Sequence, residues 1–484
     1  MNVNPITRLD YPDPDVIRVE DTYYMVSTTM HFMPGCEILQ SFDLVHWEHV
    51  TYVYETLDHT DAQQLKSGQN IYGQGMWAAS LRYHEGRFCI CFVANDTRKT
   101  YLYTSEKIDG PWKKQLIEGF YHDGSLLFDE DGRNYIVYGN DEIWITELNE
   151  DLTAPKKDGL HRLLVSDHKN PELGYEGSHI QKINGYYYIF LVHSLRDRWM
   201  RTEACFYSDS LEGEFTGGDV LCDDRGYCGQ GVAQGGIVDT PDGKWYAMLF
   251  QDSGAVGRIP ILLPVTWKDH FPFFGQNGHV PEEIEVHSTR PGYIYQPLVG
   301  SDDFCNGLLP RWQFNHDPDP RYYHLDALQG TYTITTREVC TELTQAVNTL
   351  TQRMSYPSCA AEVTVDASAL KEGDVAGLCA LQSCYAAVGI TKHHGKYEVL
   401  MLDKKEDGIL DMTEGTVVES HQMDFRLEAD FCNMKDEARC YYRVNKGDWL
   451  PIGTVHKLYF KLDHFTGCRF GLFCYAAEET GGSA

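Results

Sequence analysis

Apolar and aromatic positions along this chain come in short runs, each cut off by Gly, Asp, Asn or Pro. Long 3.6-residue periodicity is absent, and Ala367 to Lys371 predicts a single helical turn at most. Alternating runs bounded by turn residues predict strands, so the chain reads as all-β. One pattern repeats five times: a strand, a tight acidic or glycine turn, then an aromatic-rich strand. It occupies Val19–Met25, His84–Ile90, Glu130–Ile136, Ile183–Ile189 and Pro241–Ala247. Glu-Gly, Asp-Gly and Asn-Gly at the centres suit two-residue hairpin turns, which need positive φ. Aligning Asp21, Gly86, Gly132, Gly185 and Gly243 gives spacings of 65, 46, 53 and 58 residues. A strand-rich unit of that size, repeated five times, predicts a five-bladed β-propeller. Unrelated hairpins in one sandwich are the plainer alternative.

The repeat fades near residue 290. Arg290-Pro291-Gly292 and Pro297-Leu298-Val299-Gly300 read as a link, which places a propeller at 1–295. Strands continue without the repeat at Thr331–Ile334, Ala376–Leu381 and Tyr397–Leu400. Residues 301–484 are long enough for a separate β-sandwich.

Composition narrows the partners. The net charge of −30 repels polyanions, so nucleic acid and anionic membrane surfaces are excluded as partners. No stretch of 18 apolar residues predicts a membrane span. The first residues lack a basic-then-apolar leader pattern, and the 15 cysteines include no Cys-x-x-Cys pair. Both features fit a cytoplasmic protein with reduced cysteines.

The repeat also ranks the acidic residues. Innermost strands of a propeller line its axis, so equivalent positions converge there. Nine residues before each turn glycine stand Trp77, Asp123, Glu176 and Gln234; the same step from Asp21 reaches Pro12, with Asp13 next. Two carboxylates in register and a third one residue away suggest acid–base chemistry, in which burial and mutual repulsion separate the protonation of like groups. Trp77 offers a flat apolar platform for a sugar ring. Taken singly, Asp13 also suits a turn between prolines, Asp123 a capped turn, Glu176 a surface acid and Trp77 a core position.

Asn4-Pro5-Ile6, Tyr11-Pro12-Asp13-Pro14-Asp15, Met76-Trp77-Ala78, His122-Asp123-Gly124-Ser125, Tyr175-Glu176-Gly177 and Gly257-Arg258 occur in that order. The set resembles glycoside hydrolase family 43. The Arg311–His316 and Asn348–Arg353 segments resemble the concanavalin-like, jelly-roll sandwich that ends the family's xylosidases and arabinofuranosidases. The resemblance implies inverting hydrolysis. Asp13 matches the general base, Glu176 the general acid, and Asp123 the carboxylate that orients the acid and favours its protonated form. Arg258 matches an arginine that holds substrate hydroxyls. Phe32, after the second strand, matches an apolar pocket wall, and Phe465 a tail residue reaching the pocket mouth. Gln234 stands where many members carry a histidine, and glutamine cannot titrate. The resemblance requires no cofactor and assigns no metal ligand; it leaves room for a structural calcium on the axis, held largely through water. The expected substrates are arabino- and xylo-oligosaccharides from arabinoxylan, from which terminal α-L-arabinofuranosyl or β-D-xylosyl groups leave. The Gly73–Trp77 loop leans towards arabinofuranosidase. A retaining glycosidase of related fold and a non-catalytic sugar-binding propeller remain as alternatives.

Overall fold

A computed structural model describes residues 3–413 and 415–484. Among the described residues all regular structure is β, apart from four single 3₁₀ turns. No helix among the described residues is long and apolar enough to cross a membrane. All 15 cysteines are free, and Cys89 and Cys91 pack together into one apolar cluster.

Five four-stranded antiparallel sheets follow one another, starting with strands Asp15–Val19, Met76–His84, Ser125–Phe128, Glu176–Ile183 and Val232–Asp239. These five inner strands lie side by side in sequence, and the fifth lies against the first. The ring closes through polar contacts. Arg18 of the first sheet pairs with Asp239 of the fifth. Asn4 Nδ2 donates to Leu262 O at 2.7 Å while Asn4 Oδ1 accepts from Leu262 N at 2.9 Å. That reciprocal pair gives the amino-terminal Asn-Pro-Ile segment its place against the fifth sheet.

The hairpin turns divide into two kinds. Glu85-Gly86 and Asn184-Gly185 are two-residue turns with both residues at positive φ, as their flanking pairs His84–Arg87 and Ile183–Tyr186 require. Asp131-Gly132 and Asp242-Gly243 are not. In both, the glycine N–H bonds back three residues, to Asp129 O and Thr240 O, and the glycine closes a three-residue loop. In the fifth sheet Pro241 favours this form, because its fixed φ suits the first corner of a type I turn, and Glu130 takes that corner in the third.

After the fifth sheet ends at Phe274, irregular chain runs to Gln313. Two sheets follow. One has nine strands, and the other is built from Ser358–Asp366, Gln422–Asp430, Glu437–Arg443 and Leu450–Lys457. Leu378, Val388 and Met401 of the first meet Phe425, Leu427 and Cys440 of the second in one shared core. The alternating burial of Gln422–Asp430 shows why these residues form a one-sided strand.

The two halves are tied together. Phe32–Met33, from the first sheet's loop, adds an edge strand beside Gln313–Asn315. Arg353 of the nine-stranded sheet reaches Glu37 Oε2 at 2.8 Å, and both side chains are buried. Behind this seam His31, His316 and His464 stack with Tyr72, ring centroids 4.6–5.0 Å apart. The three histidines are fully buried.

Candidate active site

The inner strands all start at one end of the ring, and the backbone there bends sharply. Asp13, Asp123, Gly177 and Gln234 have φ of 52°, 47°, 67° and 63°. Asp tolerates this left-handed region better than most residues, and such conformations concentrate at functional sites. Three inner strands also carry bulges, between Met76 and Ala79, Glu176 and His179, and Ala233 and Gly236. A bulge re-aims the side chains beside it, and here those belong to Trp77, Glu176 and Gln234. A Cβ on Gly177 would lie 2.7 Å from Gln234 Cγ, so only glycine lets the fourth and fifth strands come this close.

The carboxylates meet different partners. Asp13, buried, accepts from Thr28 Oγ1 at 2.5 Å and from Arg258 Nη1 at 3.2 Å. Asp123, equally buried, accepts from Gly177 N at 3.1 Å. Glu176 accepts from Asn140 Nδ2 at 2.7 Å. His122 Nε2 lies 3.6 Å from both Asp123 Oδ2 and Glu176 Oε2. Burial, reinforced by the charges of Glu176 and Asp13, pushes the Asp123 carboxyl up to about 6. The Asp123 carboxylate in turn raises His122 to about 9, so the ring is an imidazolium at neutral pH.

The apolar rim joins both halves. The Trp77 ring is 5.8 Å from His122 and 5.5 Å from Phe465. Phe465 itself sits under the Arg258 guanidinium at 4.3 Å. Asp10 holds this arrangement: its carboxylate accepts from Arg258 N and from Gly467 N, both at 2.8 Å. A Cβ on Gly257 would lie 2.3 Å from Asp10 Oδ1, which explains the glycine before Arg258. The site therefore offers three carboxylates, two cationic side chains and an aromatic wall at one end of the ring.

The family model of glycosyl hydrolases family 43 matches residues 3–272. The chain belongs to glycosyl hydrolase family 43. Residues 301–484 match the beta-xylosidase C-terminal concanavalin A-like domain. A bifunctional GH43-CE structure from Bacteroides eggerthii is 41% identical, with a TM-score of 0.93 over 99% of this chain. This chain spans 62% of that one. A beta-xylosidase of Formosa agariphila is 26% identical, over 99% of this chain and 88% of its own. A non-reducing end alpha-L-arabinofuranosidase of Bacteroides ovatus is 24% identical, over 85% of this chain and 79% of its own. This family 43 chain is accordingly a glycoside hydrolase.

Of the residues singled out in the sequence, Asp13, Asp123, Glu176, Trp77, Gln234, Arg258 and Phe465 come together in this family 43 site. Phe32 does not. It is fully buried among Leu343, Cys379 and Phe473 of the C-terminal half, with the Arg469 guanidinium 3.4 Å over its ring. The edge strand that carries Phe32 turns it into the second core instead of the pocket.

Sequence reading passed over several groups. His122 was adjacent to a chosen residue, but an alternating strand would point it away from Asp123, and only the sharp bend at Asp123 brings the two together. Arg201 and Glu203 alternate on one strand, a signal visible only once its inner face is known. Arg201, nearly buried, donates to Asp252 Oδ2 at 2.8 Å, and Glu176 and Asp13 lie close enough to favour its charge. Glu203 Oε2 accepts from Gln234 N at 2.7 Å. Burial holds this carboxyl well above its ordinary range, and it fixes the Gln234 backbone.

The axis does not suit a calcium ion. Arg82 crosses it at one level, donating to Asp15 Oδ2 at 2.8 Å, Ser125 Oγ at 2.7 Å, Leu126 O at 2.8 Å and Ile180 O at 3.2 Å. His179 Nδ1 contacts Asp15 Oδ1 at 3.1 Å. A guanidinium that already bridges four inner strands occupies the oxygen ligands and repels a divalent cation.

Proposed function

We propose that this family 43 enzyme is an inverting exo-glycosidase that removes terminal α-L-arabinofuranosyl or β-D-xylosyl groups from arabinoxylan-derived oligosaccharides, with arabinofuranosyl preferred. The five sheets are the blades of a five-bladed propeller spanning 1–295, and 301–484 is a separate sandwich domain. The observation that carries the reading is the convergence of Asp13, Asp123 and Glu176 beside Trp77, Arg258 and Phe465. Asp13 is the general base: Arg258 and Thr28 fix its carboxylate so that one oxygen can take a proton from water. Glu176 is the general acid, protonating the leaving oxygen, and Asn140 fixes its side chain. Asp123 orients Glu176 through their shared contact with His122. Trp77 receives the apolar face of the sugar. Phe465 narrows the rim, which favours a chain end over the middle of a polymer.

The xylosidase and arabinofuranosidase names among its relatives support a pentose pocket, and the Gly73–Trp77 loop supports the arabinose preference only by analogy. The test is product analysis on arabinose-decorated xylo-oligosaccharides, followed by NMR of the anomer first released. Free arabinose with inverted configuration is expected. Free xylose alone reverses the preference, and a retained anomer removes the water-activating role of Asp13. Glu176→Ala is expected to lose roughly 10²–10⁴-fold in turnover, the usual contribution of general acid catalysis. Full turnover in that variant refutes the assignment.

A further inference from the structure

The most unusual ligand set lies inside the pocket. His122 Nε2, a carboxylate oxygen of Asp123 and one of Glu176 all lie within 4.8 Å of one another. Two of the three edges are 3.6 Å. Ligand atoms about 2.1 Å from a tetrahedral ion are separated by roughly 3.4 Å, so these edges fit a first-row ion with little adjustment. His122 Nε2 is buried and has no hydrogen-bond partner, although it points at both carboxylates. Buried polar atoms are ordinarily satisfied, and an unsatisfied one at a functional site calls for an explanation. Asn140 Nδ2 donates to Glu176 Oε2 and Gly177 N to Asp123 Oδ2, the oxygens that face His122, so both carboxylates are fixed in place.

We propose that His122, Asp123 and Glu176 form a binding site for a divalent transition-metal ion of the zinc class, and that the ion competes with the glycoside. One imidazole and two carboxylates suit zinc and its neighbours, whereas calcium and magnesium prefer more ligands and only oxygen. Asp123 and Glu176 are the carboxylates assigned above to the glycosidase reaction, so an ion held by them competes with the sugar. Ligation uses the Nε2 lone pair, so the ring proton passes to solvent. It also removes the Glu176 carboxyl from proton donation. The net charge of −30 draws cations to the surface and raises their local concentration. Competition with substrate rests on the glycosidase reading above; binding of the ion does not.

The test uses the full chain and zinc chloride. Calorimetry without substrate is expected to show one zinc equivalent bound, with magnesium and calcium inert at the same concentration. Steady-state kinetics on an aryl pentoside is expected to show zinc raising KM with kcat unchanged. His122→Gln is expected to weaken zinc binding and inhibition at least tenfold, in line with about 10–100-fold losses seen even for partners behind a metal ligand. If circular dichroism shows that variant unfolded, Glu176→Gln serves in the calorimetric arm. Absence of zinc binding, or equal affinity in the folded variant, overturns the assignment. Binding that leaves KM unchanged places zinc elsewhere, for example on exposed Cys222, Cys228, Cys305 or Cys432, and overturns it too.

Discussion

Acid should loosen this protein through the three histidines packed between its halves. His464 is fully buried, neither ring nitrogen has a partner, and burial with the nearby Arg469 charge lowers it from 6.5 to about 3. His31 and His316 are lowered well below 6.5 for the same first cause. The sign follows from linkage. Below pH 6.5 the unfolded chain binds a proton at each ring that the folded chain refuses, so stability falls as pH falls. For His464 the loss continues down to about pH 3. One pKa unit is worth about 1.36 kcal/mol, so His464 alone costs roughly 2 kcal/mol between pH 7 and pH 5. Against a total of about 5–15 kcal/mol, that is a large share for one side chain. The assay is urea unfolding at several pH values, for the natural chain and for His464→Phe. Phenylalanine keeps the stack on Tyr72 and removes two nitrogens that bond nothing. Its stability curve should be flatter between pH 7 and pH 5 by about 0.7 proton on average. Parallel curves would show that His464 titrates normally in the folded chain and would refute the burial argument.

Other outcomes follow from single contacts. His122→Asn removes the imidazolium that lowers Asp123, so Asp123 ionises at still higher pH, and the acid limb of kcat/KM should move up; a fixed limb would separate Asp123 from that limb. Phe465→Ala should raise KM and lower kcat/KM about tenfold, since an aromatic contact contributes roughly 0.5–1.5 kcal/mol beyond its area; unchanged kinetics would take the C-terminal half out of the pocket. Arg353→Ala strands the buried Glu37 carboxylate and should destabilise the chain by about 3–5 kcal/mol in chemical unfolding.

Most of the scaffold was legible because a repeated hairpin leaves a period in the sequence. Asp123 and Gln234 share a distance from their turn glycines and keep it on folding, whereas Glu176 stands one step off, because its turn is one residue shorter and Gly177 takes the matching positive φ. The three-residue loops at Asp131-Gly132 and Asp242-Gly243 were less legible, because Asp-Gly serves either turn and only the preceding residues decide. Phe32 was misread because its position in a loop says nothing about which half the loop joins. Its edge pairing with Gln313–Asn315 depends on residues just over 280 positions away. Asp10 and Glu203 left no trace either, since their partners are backbone N–H groups, which every residue but proline carries.

Asp10 has a wider consequence for how this enzyme can be rearranged. Its single carboxylate clasps the backbone of Arg258 and of Gly467, so the pocket floor and the tip of the carboxy-terminal half share one anchor. A cut between 296 and 300 would separate the two chains cleanly in sequence yet leave that anchor half empty. Chimeras that exchange the carboxy-terminal half to alter sugar preference must therefore carry a 464–467 turn whose backbone still meets Asp10. Modularity in this protein ends at an aspartate near its amino terminus.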